Sequence, residues 1–318
     1  GAGELVYLSE AMGADTTGRS LAWVDMKGKE ELLAAPSNAY SNPKISPDGK
    51  RVALSITASG NANIWIWDLV REALTRLTFD ASLDVNPLWT RDGKRIFFAS
   101  TLSGRYGVWW KASDGTGGIE QLGGVPAIGN FFPCAWSGDG NSLIVMQYIN
   151  NADIGVVSMG GEHKWRPLLK EKYNELYPQI SPDGKWMAYT SNESGRNEVY
   201  VRPFPDVESG GRWQVSTSGG GSPLWSPDGR ELFYRNGDSV IAVAVQTQPA
   251  FKAAKPEVLF KGTYLDFDWD ISPDGRRFLM IKEAASTGKP AAAAAPRKIN
   301  IVLNWFEELK QRVPAHVR

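Results

Sequence analysis

The sequence predicts an all-β fold, a closed ring of six four-stranded antiparallel sheets. Three observations carry that expectation. A four-residue turn recurs six times, as Ser46-Pro47-Asp48-Gly49, Thr90-Arg91-Asp92-Gly93, Ser137-Gly138-Asp139-Gly140, Ser181-Pro182-Asp183-Gly184, Ser226-Pro227-Asp228-Gly229 and Ser272-Pro273-Asp274-Gly275. Successive turn aspartates lie 44, 47, 44, 45 and 46 residues apart. Between turns run short segments rich in Trp, Tyr, Phe, Val and Ile, separated by Gly, Asn and Ser, which is strand grammar. A period of about 45 residues holding four strands is the mark of a β-propeller blade. Six turns therefore predict six blades, and a seven-bladed ring with one incomplete blade is the alternative.

Each blade follows one order. An inner strand leads into the turn, with Pro43, Pro87, Pro178 and Pro223 three residues before the Ser or Thr and Pro133 four before. Pro presets φ for the first corner, Asp suits the second, and Gly takes the left-handed position that follows. An alternating second strand comes next, as in Arg51–Ile56, Arg95–Ser100 and Trp186–Thr190. Third strands include Asn63–Asp68 and Glu198–Arg202, and a short fourth strand such as Leu74–Thr78 closes the unit.

The chain ends predict ring closure. Leu5–Leu8, Leu21–Asp25 and Glu31–Leu33 read as strands two to four of a blade lacking its inner strand. The last repeat offers an inner strand near Phe267–Ile271, a second at Arg277–Ile281 and a third at Ile299–Trp305. Joining both ends in one sheet would remove free edges. Residues 1–318 thus read as a single domain. Residues 284–297 form a low-complexity loop containing five consecutive Ala, and Trp305–Lys310 suits a helical turn.

Composition excludes several functions. The 35 Lys+Arg balance 35 Asp+Glu, which argues against a nucleic-acid grip or a polybasic membrane surface. No apolar run is long enough to span a bilayer as a helix. Gly1-Ala2-Gly3-Glu4 does not open a signal-peptide pattern. The lone Cys134 excludes an intramolecular disulfide and a Cys-built zinc site, and its expected role is buried packing. The two histidines, His163 and His316, lie far apart in sequence, and no Gly-x-Ser-x-Gly elbow exists, so nothing suggests a catalytic triad. Gly115–Gly118 and Gly219–Gly221 neither open a helix nor carry a Lys, and are loops rather than phosphate sites.

Residues just before each turn should face the channel mouth. From them the sequence selects Asn42, Asp84, Asn86, Glu175, Tyr177, Asp266 and Asp268 as a contact face for a protein, a peptide or a small ligand. Asp266, Asp268 and Asp270 alternate along one strand and would share a face. Crowded carboxylates suit a hard cation such as calcium, with Asp84, Glu175 and Asp268 as its ligands if one is bound. No other cofactor is expected. The repeated turn Asp is read as turn geometry, and most of the Trp residues as packing between blades.

The Ser-Pro-Asp-Gly turns, the earlier Pro, and third strands like Ile64-Trp65-Ile66-Trp67-Asp68 resemble the TolB-type, WD40-like (PD40) propeller repeat over nearly the whole chain. Leu21–Gly28, Tyr200–Pro205, Glu231–Arg235 and Ile299–Lys310 resemble propeller modules that follow the kinase domain of bacterial serine/threonine kinases. No kinase catalytic motif is present in this sequence. The resemblance implies a monomeric, non-enzymatic sensory or binding module with a protein or peptide partner, on the periplasmic or extracytoplasmic side. Related propellers also imply an alternative, a channel-metal hydrolase of lactonase or esterase type.

Overall fold

The computed structural model describes residues 5–8, 18–283 and 299–302. The chain divides into two compact units, Thr17–Ala284 and the combined ends Gly1–Thr16 with Ala285–Arg318. The larger unit is a six-bladed, all-β propeller, and no helix occurs among the described residues.

Blade one is Tyr40–Ile45, Arg51–Ala58, Asn61–Asp68 and Ala73–Arg76. Blade two is Asp84–Trp89, Arg95–Ser100, Gly107–Ala112 and Glu120–Gln121. Blade three is Asn130–Trp136, Ser142–Tyr148, Ala152–Ser158 and Trp165–Leu169. Blade four is Glu175–Ile180, Trp186–Ser191, Glu198–Pro203 and Trp213–Gln214. Blade five is Gly221–Trp225, Glu231–Asn236, Ser239–Gln246 and Lys252–Ala253, with Glu257–Lys261 also pairing Ser239–Gln246. Blade six takes Trp269–Ile271 and Arg277–Glu283 from the end of the unit, and Arg19–Asp25 and Glu30–Leu32 from its start.

Ring closure therefore occurs as expected, with one correction. Leu5–Leu8 and Ile299–Val302 are not blade strands; they pair with each other in a separate two-stranded sheet. Arg19–Asp25 and Glu30–Leu32 already fill the third and fourth places, so blade six has no room for either. The surplus that suggested a seventh blade is this extra pair. The loop 284–297 and the tail Trp305–Lys310 lie outside the described residues.

Apolar packing explains why the ring holds. Six buried clusters each straddle two neighbouring blades. Ile64 and Leu77 of blade one meet Phe98 of blade two, and Phe97 meets Phe131 and Leu143 of blade three. Ile154 meets Tyr189 of blade four, and Val199 meets Leu232 of blade five. Phe233 meets Phe278 of blade six, and Leu279 meets Tyr40 and Leu54 of blade one. Each large side chain so buried contributes about 1.5–3 kcal/mol relative to exposure. Trp indoles stitch the same seams. Trp89 Nε1 donates to the Lys44 carbonyl at 2.9 Å, Trp136 Nε1 to Trp89 at 2.8 Å, and Trp225 Nε1 to Gln179 at 3.2 Å.

The turn aspartates are structural. In the first, Ser46 Oγ donates to Asp48 Oδ1 at 2.6 Å, Lys50 N–H donates to the same oxygen at 3.1 Å, and Arg51 N–H donates to Ser46 Oγ at 2.9 Å. The hydroxyl bond, reinforced by the backbone N–H, holds Asp48, Asp92, Asp228 and Asp274 below the usual carboxylate range and Asp139 at about 2. The turns also touch one another in a closed circle. Gly93 packs on Pro47, Gly229 on Pro182, Gly275 on Pro227 and Gly49 on Pro273. Where the Pro is missing, Gly140 packs on Arg91 and Gly184 lies directly on Gly138. The turn Pro is thus an inter-blade contact as well as a φ constraint. A Cβ at Gly138 would stand 2.6 Å from the Gly184 Cα. Gly138→Pro, although it restores the repeat, is expected to cost about 1–3 kcal/mol through overpacking. Urea midpoints measure this, and a stabilised variant would contradict the contact.

Candidate functional site

A cavity of about 550 Å³ opens on the channel, and inner strands from all six blades contribute to its wall. Its shape follows from a repeated bulge. In blade one, Ser41 pairs with Ser55 and Lys44 with Ala53, so Asn42 and Pro43 have no ladder partner of their own. The same slip leaves out Asn86-Pro87, Tyr177-Pro178 and Ser222-Pro223. The first residue of each pair is left-handed, with φ of 50° at Asn42, 54° at Asn86, 52° at Tyr177 and 53° at Ser222. That is the position glycine ordinarily takes in this type of bulge. Phe267, in the loop entering blade six, is likewise at 69°.

Each of the four bulge N–H groups is satisfied from the preceding blade. Asn42 N–H donates to Asp268 Oδ1 at 2.7 Å, and Asn86 N–H to Asn42 Oδ1 at 3.4 Å. Tyr177 N–H points to Met146 Sδ at 3.1 Å and Ser222 N–H to Thr190 Oγ1 at 3.1 Å. The residue after each has no ladder partner and is always Pro, which brings no N–H to orphan. This is the physical reason for a Pro three residues before the turn. Blade three differs. Its extra residue is Cys134, and Phe132 is not left-handed.

Five of the seven residues selected from sequence line the cavity: Asn42, Asn86, Tyr177, Asp266 and Asp268. Asp84 and Glu175 do not. Both are buried, at 0% and 2% exposure, and bond to local hydroxyls, Ser82 Oγ at 2.8 Å and Ser191 Oγ at 3.5 Å. The three alternating carboxylates are also corrected, because left-handed Phe267 breaks the alternation and the strand begins only at Trp269. Each carboxylate has a separate partner. Asp266 lies 3.6 Å from Arg235, Asp268 accepts from Asn42, and Asp270 lies 3.4 Å from Lys44 and accepts from Ile45 N–H. Among the described residues no group of three or more His, Cys, Asp or Glu is placed to hold a metal ion. Asp84, Glu175 and Asp268 are therefore not brought together as a ligand set.

Much of the remaining wall is aromatic. Tyr106 and Phe132 have centroids 5.0 Å apart, and Tyr148 meets Phe132 edge-on at 5.7 Å. Tyr177 of blade four stacks on Phe267 of the blade six loop at 5.1 Å, with planes 8° apart, passing over blade five. Gly221 of blade five lies beside this stack, where a Cβ would stand 3.5 Å from the Phe267 ring. Ser222 is among the lining residues, 5% exposed, and its Oγ is buried from solvent without a hydrogen-bond partner. Burial pushes Tyr177 up to about 12, with the charges of Tyr148 and Asp268 adding to it. Burial also pushes the Cys134 thiol up to about 12, so it stands protonated on the wall at neutral pH. Burial raises Asp268 above the usual carboxylate range against the opposing Asn42 N–H. Sequence reasoning missed Tyr106, Tyr148, Lys44, Gln179 and Phe267. The two tyrosines arrive beside Asn130, as its ladder partner Tyr148 and as Tyr106 N–H donating to its Oδ1.

Glu175 has its own consequence. Burial, then the charges of Glu171 and Asp153, raise it from 4.5 to about 7, and Oε2 has no partner. Between pH 4.5 and about 7 the folded protein keeps a proton that the unfolded chain releases. Stability should therefore fall as pH rises through that window and stay lower above it. Glu175→Gln is expected to flatten this decline and to be about 2 kcal/mol more stable than wild type at pH 8. Parallel pH-dependent denaturation curves for the two proteins would contradict it.

Residues 17–125 match the family model described as the TolB beta propeller domain, the PD40 repeat. That matched part of the chain resembles the TolB-type propeller repeat. A 73-residue stretch of the chain is 37% identical to the Tol-Pal system protein TolB of Alcanivorax borkumensis, covering 22% of this chain and 16% of that protein. Two solved structures share the architecture. One, described as a TolB from Agrobacterium tumefaciens, has a TM-score of 0.67 at 18% identity, covering 84% of this chain and 99% of the other. TolB from Acinetobacter baumannii has a TM-score of 0.56 at 16% identity, covering 86% and 66%. An oligogalacturonate lyase in complex with manganese also matches, at TM-score 0.52 and 13% identity, covering 86% and 76%. At these identities the structural matches establish the fold, and one fold serves both binding proteins and enzymes.

Proposed function

We propose that this propeller is a non-enzymatic binding module whose channel cavity receives a segment of a partner polypeptide. It acts as a monomeric sensory or regulatory part of a TolB-like or kinase-linked bacterial system on the extracytoplasmic side. The observation that supports this reading most is the set of side-chain-bearing residues held left-handed on the cavity wall: Asn42, Asn86, Tyr177, Ser222 and Phe267. Such backbone costs free energy, and where it gathers at one site it points to a functional constraint. The rigid ring presets the wall, which lowers the ordering cost when a flexible segment docks. Aromatic faces would take apolar side chains, while Asn86 and Gln179 offer polar groups to a peptide backbone. The alternative, a channel-metal hydrolase, draws no support from the carboxylates, each of which has a separate partner.

The test uses immobilised protein and a soluble pool of random hexapeptides. The Phe132→Ala/Tyr177→Ala double variant is expected to retain at least tenfold less of the pool than wild type. Equal retention, with folding confirmed by circular dichroism, would contradict the cavity as the site.

A further inference from the structure

The cavity wall has an electrostatic polarity that its aromatic content does not explain. Lys44 is the one Lys or Arg among the residues lining it. It lies two residues beyond Asn42 along the inner strand, on the Ser46–Gly49 turn side of the left-handed ring. The residues at the equivalent ladder position are Leu88, Ala135, Gln179 and Leu224 in blades two to five and Asp270 in blade six, so Lys44 is the one cation at this level. Lys44 Nζ has a single carboxylate neighbour, Asp270 Oδ1, at a long 3.4 Å. The other oxygen of Asp270 accepts from Ile45 N–H at 2.8 Å. An ammonium has three donors, so two of those on Lys44 are unassigned.

The two lining carboxylates, Asp266 and Asp268, are already engaged. Asp266 faces Arg235, and Asp268 Oδ1 accepts from both the Asn42 N–H and the Asn42 Nδ2, at 2.7 and 3.1 Å. The Tyr177–Phe267 stack forms part of the same wall. A guest in the cavity therefore meets engaged carboxylates, aromatic walls and a cation with spare donors.

We infer that the segment received by this cavity is a free polypeptide C-terminus. Its terminal carboxylate lies on Lys44, and its apolar or aromatic last side chain rests against Phe132, Tyr148 and Tyr177. The inference rests on the peptide-binding reading and deepens it. The main chain of an internal segment has no anion to offer Lys44. A chain end supplies the anion at its last atom, and capture of a terminal carboxylate by fixed donors is a known mode of peptide recognition.

The experiment compares two pools of hexapeptides randomised at the last three positions, one with free carboxylates and one with C-terminal carboxamides, on immobilised full-length chain. Wild type is expected to retain the acid pool at least tenfold over the amide pool. Lys44→Met should abolish that preference and Lys44→Arg should keep it. Equal retention of both pools, still dependent on Phe132 and Tyr177, would overturn the C-terminal inference while leaving the peptide reading intact. Retention of neither pool would overturn both. An acid preference that survives in Lys44→Met would remove Lys44 from the site. Should Lys44→Met fail to fold, the wild-type comparison of the two pools and the Lys44→Arg result still decide the matter.

Discussion

Ala22→Pro is expected to unfold the propeller or to remove about 3 kcal/mol or more of its stability, the cost of Pro inside a central strand. The reason is the direction of one N–H. Leu33 N–H donates to the Leu21 carbonyl and Asp25 N–H to the Lys29 carbonyl, so odd-numbered residues of Arg19–Asp25 bond outward to Glu30–Leu32. The even-numbered Ser20, Ala22 and Val24 then turn their backbone groups to Arg277–Glu283, where Ala22 pairs with Met280. Ala22 is fully buried, so a lost donor there leaves an acceptor unpaired in a dry seam. This seam is the one place where strands from the two ends of the unit meet within a blade. The same substitution at Ala127, exposed in a loop outside the strands, should change stability by no more than about 0.5 kcal/mol. Urea denaturation followed by tryptophan fluorescence distinguishes the two. Equal stabilities would mean that the ring does not depend on this pairing.

Ser222→Gly is expected to move stability and binding in opposite directions. The serine sits at a φ of 53°, and its hydroxyl is buried without a partner. Glycine takes that backbone without strain and removes the unsatisfied oxygen, a combined gain of about 1–2 kcal/mol after the small loss of packing. Retention of the hexapeptide pool should fall severalfold, because glycine frees the backbone that presets this part of the cavity wall. The measurement pairs a denaturation curve with the retention assay. A destabilised variant would show that the hydroxyl is bonded within the folded protein. Unchanged retention would take Ser222 out of the binding site. A site that weakens the fold in order to hold its wall in a fixed conformation follows the general trade between stability and function.

Legibility in the sequence varied with the kind of signal. The six turns were plain because Asp and Gly are required by one turn geometry, and the same hydroxyl–carboxylate bond recurs from Asp48 to Asp274. The inner strands were equally plain, but which side chains line the cavity was not. Asp84 and Asn86 are two residues apart and both were expected at the mouth, yet Asp84 is fully buried while Asn86 lines the cavity. Strand alternation alone predicts a shared face; the bulge that follows Val85 alters the count and the left-handed turn at Asn86 re-aims the chain. The Pro at a fixed offset marked that bulge, but its meaning depends on ladder register, which only the folded structure supplies. Leu5–Leu8 read as a blade strand for a similar reason. Its pattern is right for a strand, and its partner, Ile299–Val302, is set by tertiary pairing rather than by local sequence.

The most direct measurement of the account is the pairing that closes the ring. In the arrangement described, Trp23 and Leu279 form a non-hydrogen-bonded cross-strand pair, as do Leu21 and Ile281. Such pairs bring α-carbons to about 4.5 Å and their α-protons into close contact. A nuclear Overhauser experiment on selectively protonated protein should show α-proton cross-peaks between Trp23 and Leu279 and between Leu21 and Ile281. Cross-peaks from Leu279 to some other strand, with none to Trp23, would mean that the sixth blade is not built from both ends of the unit, and the cavity would lose the frame that shapes it.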